Sequence, residues 1–439
     1  MTQATTVTDI SDLVRVPADP LRISTPVGTL EGSAILRVAA EIRKRVAAGE
    51  QICNLTVGDF DPRQFPIPRV LEDGIVEALR HHETNYPPST GVPALREAII
   101  AYTERSLGLR YPVESVLVTS GSRPGVYGTY ATLLDPGDRV VFGVPSWNNN
   151  YYCHMVGAVA VPVACSAEER FMPTAAAIAP HLRGARMLAL NSPLNPCGTC
   201  FDAESLGAIC DLVLEENARR GPGERPLYLV YDQVYWQLTF GDTEHVDPVT
   251  LRPEMARYTI FVDGISKAFA STGVRIGWVM GPIDVIDRMN NFLQHVGTWA
   301  PRAEQVATAA LLMNEDAIQS YRASLIQGVQ ARLDALHNGL KALGAAGHPV
   351  DAVEPAGAIY LSGRFNLLGR RTPEGEVLNT NDDVRRWLLR TAGLAVVPLD
   401  AFGAEGETGW CRLSVGAVSV ADIEGALPRL KAGLEGLRG

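Results

Sequence analysis

A lysine set among small residues is the chemical feature from which this sequence is best read. Phe261 to Gly281 runs FVDGISKAFASTGVRIGWVMG, with Lys267 between Ser266 and Ala268 and Arg275 eight residues further on. An apolar run ends at Asp263 and a small-residue turn follows, leaving space for a molecule to approach the amine. A desolvated lysine loses its proton readily and can attack a carbonyl carbon, forming a Schiff base. For a lysine taken alone, a solvated surface position is the better reading. The neighbouring motifs decide otherwise.

Four further constellations follow strand-like apolar runs. Ser120-Gly121-Ser122-Arg123-Pro124-Gly125 opens a helix, where free backbone N–H groups make an anion site and Pro124 is expected at the first helical position. Pro145-Ser146-Trp147-Asn148 presents an aromatic residue after the next strand. Asn191-Ser-Pro-Leu-Asn195-Pro196-Cys-Gly198 carries a turn signal. Leu229 to Tyr235 puts Asp232 just past an apolar strand. A carboxylate there caps a helix or, facing a ring nitrogen, keeps that nitrogen protonated so that the ring withdraws electrons. Arg275 offers a guanidinium that fits a phosphate in bidentate fashion. Cys197-Gly-Thr-Cys200 has CxxC spacing, but no second pair is present for zinc and the surroundings are not thioredoxin-like, so it reads as two unrelated thiols.

The run Gly264-Ile265-Ser266-Lys267 followed by Gly273-Val274-Arg275-Ile276-Gly277 resembles the lysine motif of class I and II aminotransferases, the aspartate aminotransferase-like, fold-type I pyridoxal-phosphate enzymes. The resemblance extends from about Asn54 to Gly416 in the family's order. It implies that Lys267 holds the cofactor and shuttles the substrate's α-proton, and that Asp232 faces the pyridine nitrogen. It further implies that Asn195 and Tyr235 bond the phenolic oxygen and that Trp147 stacks on the ring. The backbone of Ser122 and Arg123, with Ser266 and Arg275, would hold the phosphate. Tyr86, in NYPPSTG, resembles the tyrosine that reaches the phosphate of a neighbouring subunit. Gly58 resembles the glycine near the substrate, and Arg412, in WCRLSVG, the arginine that clamps its α-carboxylate. Three positions depart from the pattern. Gly264 stands where many members have a phosphate-binding serine, implying one hydrogen bond fewer, while Ser271 and Cys197 replace an apolar residue and a threonine.

These residues need a scaffold. The 439 residues are too many for one compact core and imply two or three domains. From Val116 short apolar runs alternate with helical segments, which argues for an α/β fold with a mostly parallel sheet covered on both faces. Ligands in such sheets sit at the carboxyl ends of the strands, where every motif above lies. Amphipathic helices are expected at Ser33–Ala48, Pro68–His81 and Pro93–Ser106, and a helical then α+β region after Gly297. The expected division is an N-terminal arm with part of a small domain (1–57), a large cofactor domain (58–305) and a C-terminal small domain (306–439).

Composition narrows the partners. A net charge of −10 argues against a nucleic-acid surface, and no apolar run reaches the length of a membrane span. The N-terminus lacks the pattern of a secretory signal, and seven cysteines, an odd number, fit reduced thiols, so a cytoplasmic protein is expected. The resemblance implies a homodimer with shared sites that moves an amino group between an L-amino acid and a 2-oxo acid. Arg123, and secondarily Arg302, lean the donor toward aspartate or glutamate by offering a cation to a distal carboxylate. A carbon–sulfur β-lyase on the same site, and a non-catalytic regulator of the same fold, are the alternatives. No metal is expected.

Overall fold

The computed structural model describes residues 8–15, 22–30, 32 and 34–438. The expected arm therefore lies partly outside the described residues; within them Thr25–Gly28 forms one helical turn. In chain order the strands are β1 Cys53–Asn54, β2 Val116–Ser120, β3 Arg139–Val144, β4 Val159–Ala164, β5 Ala185–Asn191, β6 Tyr228–Asp232 and β7 Thr259–Gly264. They continue with β8 Ile276–Met280, β9 Val350–Ala352, β10 Tyr360–Phe365, β11 Leu394–Ala395, β12 Val397–Pro398 and β13 Trp410–Ser414.

Seven of them form one sheet in the order β2-β8-β7-β6-β5-β3-β4. Only β8 runs antiparallel to its neighbours; the other pairs are parallel. Alternation along the inner strands divides the apolar residues between two cores, while the edge strand β4 is mostly exposed. Leu229, Tyr231 and Phe261 face one, and Val230, Ile260 and Val262 the other. A sheet buried on both faces explains why these strands are continuous apolar runs rather than alternating ones.

A third core joins the long helix Glu315–Ala345 to the helices Asn381–Ala392 and Val420–Gly436 and to the antiparallel sheet β12-β13-β10-β9. Leu55 and Phe60 pack into it from the N-terminal side. β1 pairs in parallel with β11, and the N–H of Ser414 donates to the carbonyl of Leu55 at 2.8 Å. The chain before the large sheet is thus stitched to the chain after it. Among the described residues no helix is long and apolar enough to cross a membrane.

Two local expectations need correcting. The helix after β2 is Ser122–Leu133, capped by Gly121 at φ 81°, so Pro124 is its third residue rather than its first. The first turn of a helix has no intrahelical acceptors for its N–H groups, so proline is tolerated throughout it. The helix Ile283–Val296 was not anticipated, although Val285, Ile286, Met289 and Leu293 form its buried stripe.

Candidate active site

The carboxyl ends of β5, β6 and β7 converge on a cavity of about 610 Å³ that the C-terminal sheet closes from the other side. Asn191 and Asp232 end adjacent strands in register. The Asn191 side chain donates to the Asp232 carbonyl at 2.7 Å and accepts from the Asn195 N–H at 2.7 Å, which holds the turn carrying Asn195 against β6. Gly264 ends β7, and a single helical turn, Ile265–Ala268, delivers Ser266 and Lys267 to the cavity wall.

Lys267 Nζ donates to the carbonyl of Gly58 at 2.7 Å and lies 5.8 Å from the centre of the Tyr235 ring. Burial pushes its ammonium down to about 8; Asp59 opposes this, while Arg412, Arg123 and Arg275 add to it. Burial pushes the Asp232 carboxyl up to about 6 against the N–H of Val234. Among the described residues Asp232 takes part in no ion pair, so it is an anion facing a cavity without a counter-ion. The Tyr235 hydroxyl shares a 2.6 Å hydrogen bond with that of Tyr360.

At the other end, the N-terminus of Ser122–Leu133 and the guanidinium of Arg275 converge. Arg275 donates to the carbonyls of Thr272 (2.7 Å) and Ser120 (3.0 Å), and its guanidinium occupies the space a side chain on Gly121 would need. Trp147 lies between the two ends, with the Arg123 guanidinium 5.3 Å from its ring centre. Arg412, in mid-strand on β13 opposite Ser362, is almost wholly buried. It donates to the Thr56 carbonyl (2.7 Å) and to Asn195 Oδ1 (3.2 Å), while its Nε has no partner among the described residues.

Of the residues singled out from sequence, eleven line this one cavity: Gly58, Ser122, Arg123, Trp147, Asn195, Asp232, Tyr235, Ser266, Lys267, Arg275 and Arg412. Tyr86 does not. It is 81% exposed and stacks edge-on against Trp299 at 5.2 Å. Arg302 also lies elsewhere: it opens the helix Arg302–Met313 and pairs with Glu83, which removes it as a reader of substrate charge in this cavity. Tyr360 and Asp59 were missed. Asp59 accepts from the Thr272 hydroxyl at 2.7 Å and sits next to Gly58, so its place in the motif VGD was a usable signal. Tyr360 is one aromatic in an apolar strand, and only the pairing of β10 with β13 reveals it. The Cys197 and Cys200 thiols are both pushed up by burial, opposite to what a reactive thiolate requires.

One glycine in the Asn195 turn is fixed by contact. Gly198 has φ 74°, its carbonyl accepts from Ala356 (2.7 Å) and Gly357 (3.0 Å), and a Cβ there would be driven into the Tyr360 carbonyl. Gly198→Ala is expected to destabilise the fold by about 1–3 kcal/mol, read as a lower urea midpoint.

A profile of the family described as Aminotransferase class I and II matches residues 50–430. The chain belongs to that family. Among its relatives, an aspartate aminotransferase of Rhizobium meliloti (strain 1021) is 30% identical over 417 residues, covering 94% of this chain and 96% of the relative. An aspartate/prephenate aminotransferase of Thermus thermophilus is 33% identical over 415 residues, covering 93% and 97%. In structure, the Rhizobium meliloti aspartate aminotransferase superposes with a TM-score of 0.85 at 28% identity over 95% of this chain and 99% of that one. The Thermus thermophilus aspartate aminotransferase with maleate gives 0.82 at 30%, over 93% and 99%. Aminotransferases of classes I and II depend on pyridoxal phosphate, and the α/β architecture with its mostly parallel sheet is theirs.

Proposed function

We propose that this aminotransferase uses pyridoxal phosphate bound in the cavity described above to move the amino group of L-aspartate or L-glutamate to a 2-oxo acid. The observation that carries the reading is one cavity holding a half-buried lysine and, without counter-ions among the described residues, a carboxylate and a buried guanidinium. The residues fit the cofactor. Asp232 lacks the cation that a protonated ring nitrogen would supply. Arg275 and the helix N-terminus form a cradle for a phosphate, with no space for a side chain at position 121.

Bound there, pyridoxal phosphate supplies the electron sink for the bonding electrons of the substrate's α-carbon. The chain's own residues do the rest. Lys267 would hold the cofactor through Nζ and, when its amine is free, would take the α-proton at Nζ and return it. Asp232 keeps the ring nitrogen protonated, the new ion pair offsetting the burial that raises its free pKa. Asn195 and the Tyr235 hydroxyl hold the phenolic oxygen, Trp147 covers the ring, and the Ser122 and Arg123 amides with Ser266 and Arg275 hold the phosphate. Arg412, with Gly58 and Asn195 beside it, holds the α-carboxylate. Arg123, exposed at the mouth, reads the distal one. The dicarboxylate choice draws support from relatives named as aspartate and aspartate/prephenate aminotransferases and from maleate, a dicarboxylate, in the Thermus thermophilus structure.

Tyr86 fits a second copy of the chain: it is exposed beside Trp299 rather than in its own cavity, so we place it in the partner's site of a homodimer. We keep the division into residues 1–57, 58–305 and 306–439 as a proposal, supported by the large sheet falling wholly within the second part and the sheet β12-β13-β10-β9 within the third, and seven unpaired cysteines suit the cytoplasm.

The first experiment is the visible spectrum of the cofactor-loaded protein before and after single L-amino acids. A shift with L-aspartate or L-glutamate, accompanied by release of the 2-oxo acid, is expected; a response confined to aromatic or aliphatic amino acids would remove the dicarboxylate assignment. Two predictions accompany it. Asp232→Asn keeps the shape and removes the charge, and kcat is expected to fall about 10²–10³-fold with KM little changed. The pH dependence follows from Lys267. Below about 8 its amine is mostly protonated, so the rate at which cofactor-free protein takes up pyridoxal phosphate should fall about tenfold per pH unit below that value and level off above it. A rate that is flat from pH 6 to 9 would mean that the amine is not the reacting group.

A further inference from the structure

The charges lining the cavity do not balance, and the excess lies at its mouth. Of the lining cations, Lys267, Arg275 and Arg412 are assigned to the cofactor and the α-carboxylate under the reading above, on which this inference rests. Arg123 and a residue with no role so far, Arg43, remain. Arg43 comes from the helix Ala34–Ala47. Ile42 of that helix packs against Leu389 and Ala395, and Glu41 pairs with Arg385 at 3.1 Å, so the helix rides on the C-terminal part of the chain. Arg123 belongs to the helix Ser122–Leu133, which packs against the large sheet.

Helical side chains lean toward the helix N-terminus, which carries Arg43 over the position one turn earlier. That position is Ala39, which also lines the cavity and whose methyl leaves room for the longer side chain. Neighbouring Arg45 is neutralised by Glu50 at 2.9 Å. Among the described residues Arg43 takes part in no ion pair and donates no hydrogen bond, and the same holds for Arg123. Two exposed guanidinium groups on different parts of the chain, neither in an ion pair among the described residues and one of them resting near the Trp147 ring, thus line one cavity whose two lining acids are Asp59 and Asp232.

We propose that Arg43 is a specificity-determining residue that grips the distal carboxylate of the substrate together with Arg123, one cation from each side of the mouth. A dicarboxylic ligand then ties the helix Ala34–Ala47 to the large sheet, and a monocarboxylic one does not.

The test is the affinity of the cofactor-loaded protein for succinate and for propionate by calorimetry, in the wild type, Arg43→Gln and Arg43→Lys. Arg43 is exposed, so neither variant threatens the fold. Arg43→Gln is expected to weaken succinate about 10- to 100-fold while propionate moves less than about twofold, and Arg43→Lys should recover part of the loss. The ratio of KM for L-aspartate to KM for L-alanine should rise in parallel. If the wild type prefers succinate and Arg43→Gln keeps that preference, the role of Arg43 is overturned and the dicarboxylate reading stands on Arg123. If the wild type does not distinguish succinate from propionate, the dicarboxylate reading falls and this inference with it. An equal loss for both ligands would also overturn it, because Arg43 would then act on the α-carboxylate or on the cavity as a whole.

Discussion

Lys267→Ala is expected to abolish turnover, with kcat/KM lower by about 10⁴-fold or more, and to remove in the same step the yellow absorbance of the cofactor-loaded protein. The two losses should coincide because the proposed function gives one atom both tasks: Nζ would anchor the cofactor and carry the α-proton. The environment explains how it can. Burial brings the ammonium down to about 8, so a useful fraction is neutral near pH 7, and after giving up its place to a substrate amine it can accept and return a proton without a large energy gap. The variant should fold. Among the described residues the Lys267 side chain makes a single hydrogen bond, to the Gly58 carbonyl, and its loss costs about 1–3 kcal/mol if that acceptor stays buried and unpaired. Lys267→Arg separates the roles further, since it keeps a cation near Gly58 but cannot be neutral at any working pH. It too should be inactive, which sets chemistry apart from charge. Turnover in either variant with an unperturbed circular dichroism spectrum would remove Lys267 from the reaction.

The elements that carry the site were largely readable from sequence because their physics is local. A fully buried parallel strand must be an apolar run, and four of the seven runs in the large sheet end at a residue with something to offer: Ser120, Asn191, Asp232 and Gly264. Asp232 and Asn191 proved to be neighbours in register, which no single strand announces. What escaped was whatever depends on two distant segments meeting. Tyr360 matters because β10 pairs with β13 and so sets its hydroxyl 2.6 Å from that of Tyr235. Arg43 matters because Ile42 docks on the helix Asn381–Ala392 and the adjoining strand, turning one face of its own helix toward the cavity. Arg302 shows the converse. Its charge was legible, but the carboxylate that neutralises it, Glu83, lies 219 residues earlier. The helix Ile283–Val296 has a different explanation: its buried stripe is regular, but Asn290, Asn291 and Gln294 dilute the pattern along the chain.

For Arg412, stability and function are expected to move in opposite directions. The guanidinium is about 1% exposed, rests among the Tyr360, Phe402 and Trp147 rings at 4.9, 4.8 and 5.9 Å, and has no carboxylate partner among the described residues. Its two hydrogen bonds go to Thr56 and Asn195, and Nε is left bare. A buried cation in this condition opposes folding: desolvation is costly, and only a counter-ion repays it in full. Arg412→Met fills much the same volume without charge, so the ligand-free protein should have an unchanged or higher Tm. The same substitution removes the buried ion pair that a substrate α-carboxylate would make. Truncating one side of such a pair costs about 2–5 kcal/mol, which corresponds to a fall in kcat/KM of roughly 30- to 5,000-fold. The loss should appear mainly in KM and should be shared by dicarboxylic and monocarboxylic amino acids alike, because all of them carry the α-carboxylate. Arg412→Lys restores the charge but not the two-pronged contact, and should recover only part of the affinity. A lower Tm together with an unaltered KM would mean that Arg412 braces β13 rather than binding substrate. The expected pairing, stable but unable to hold an amino acid, is the mark of a residue kept for its ligand at the fold's expense.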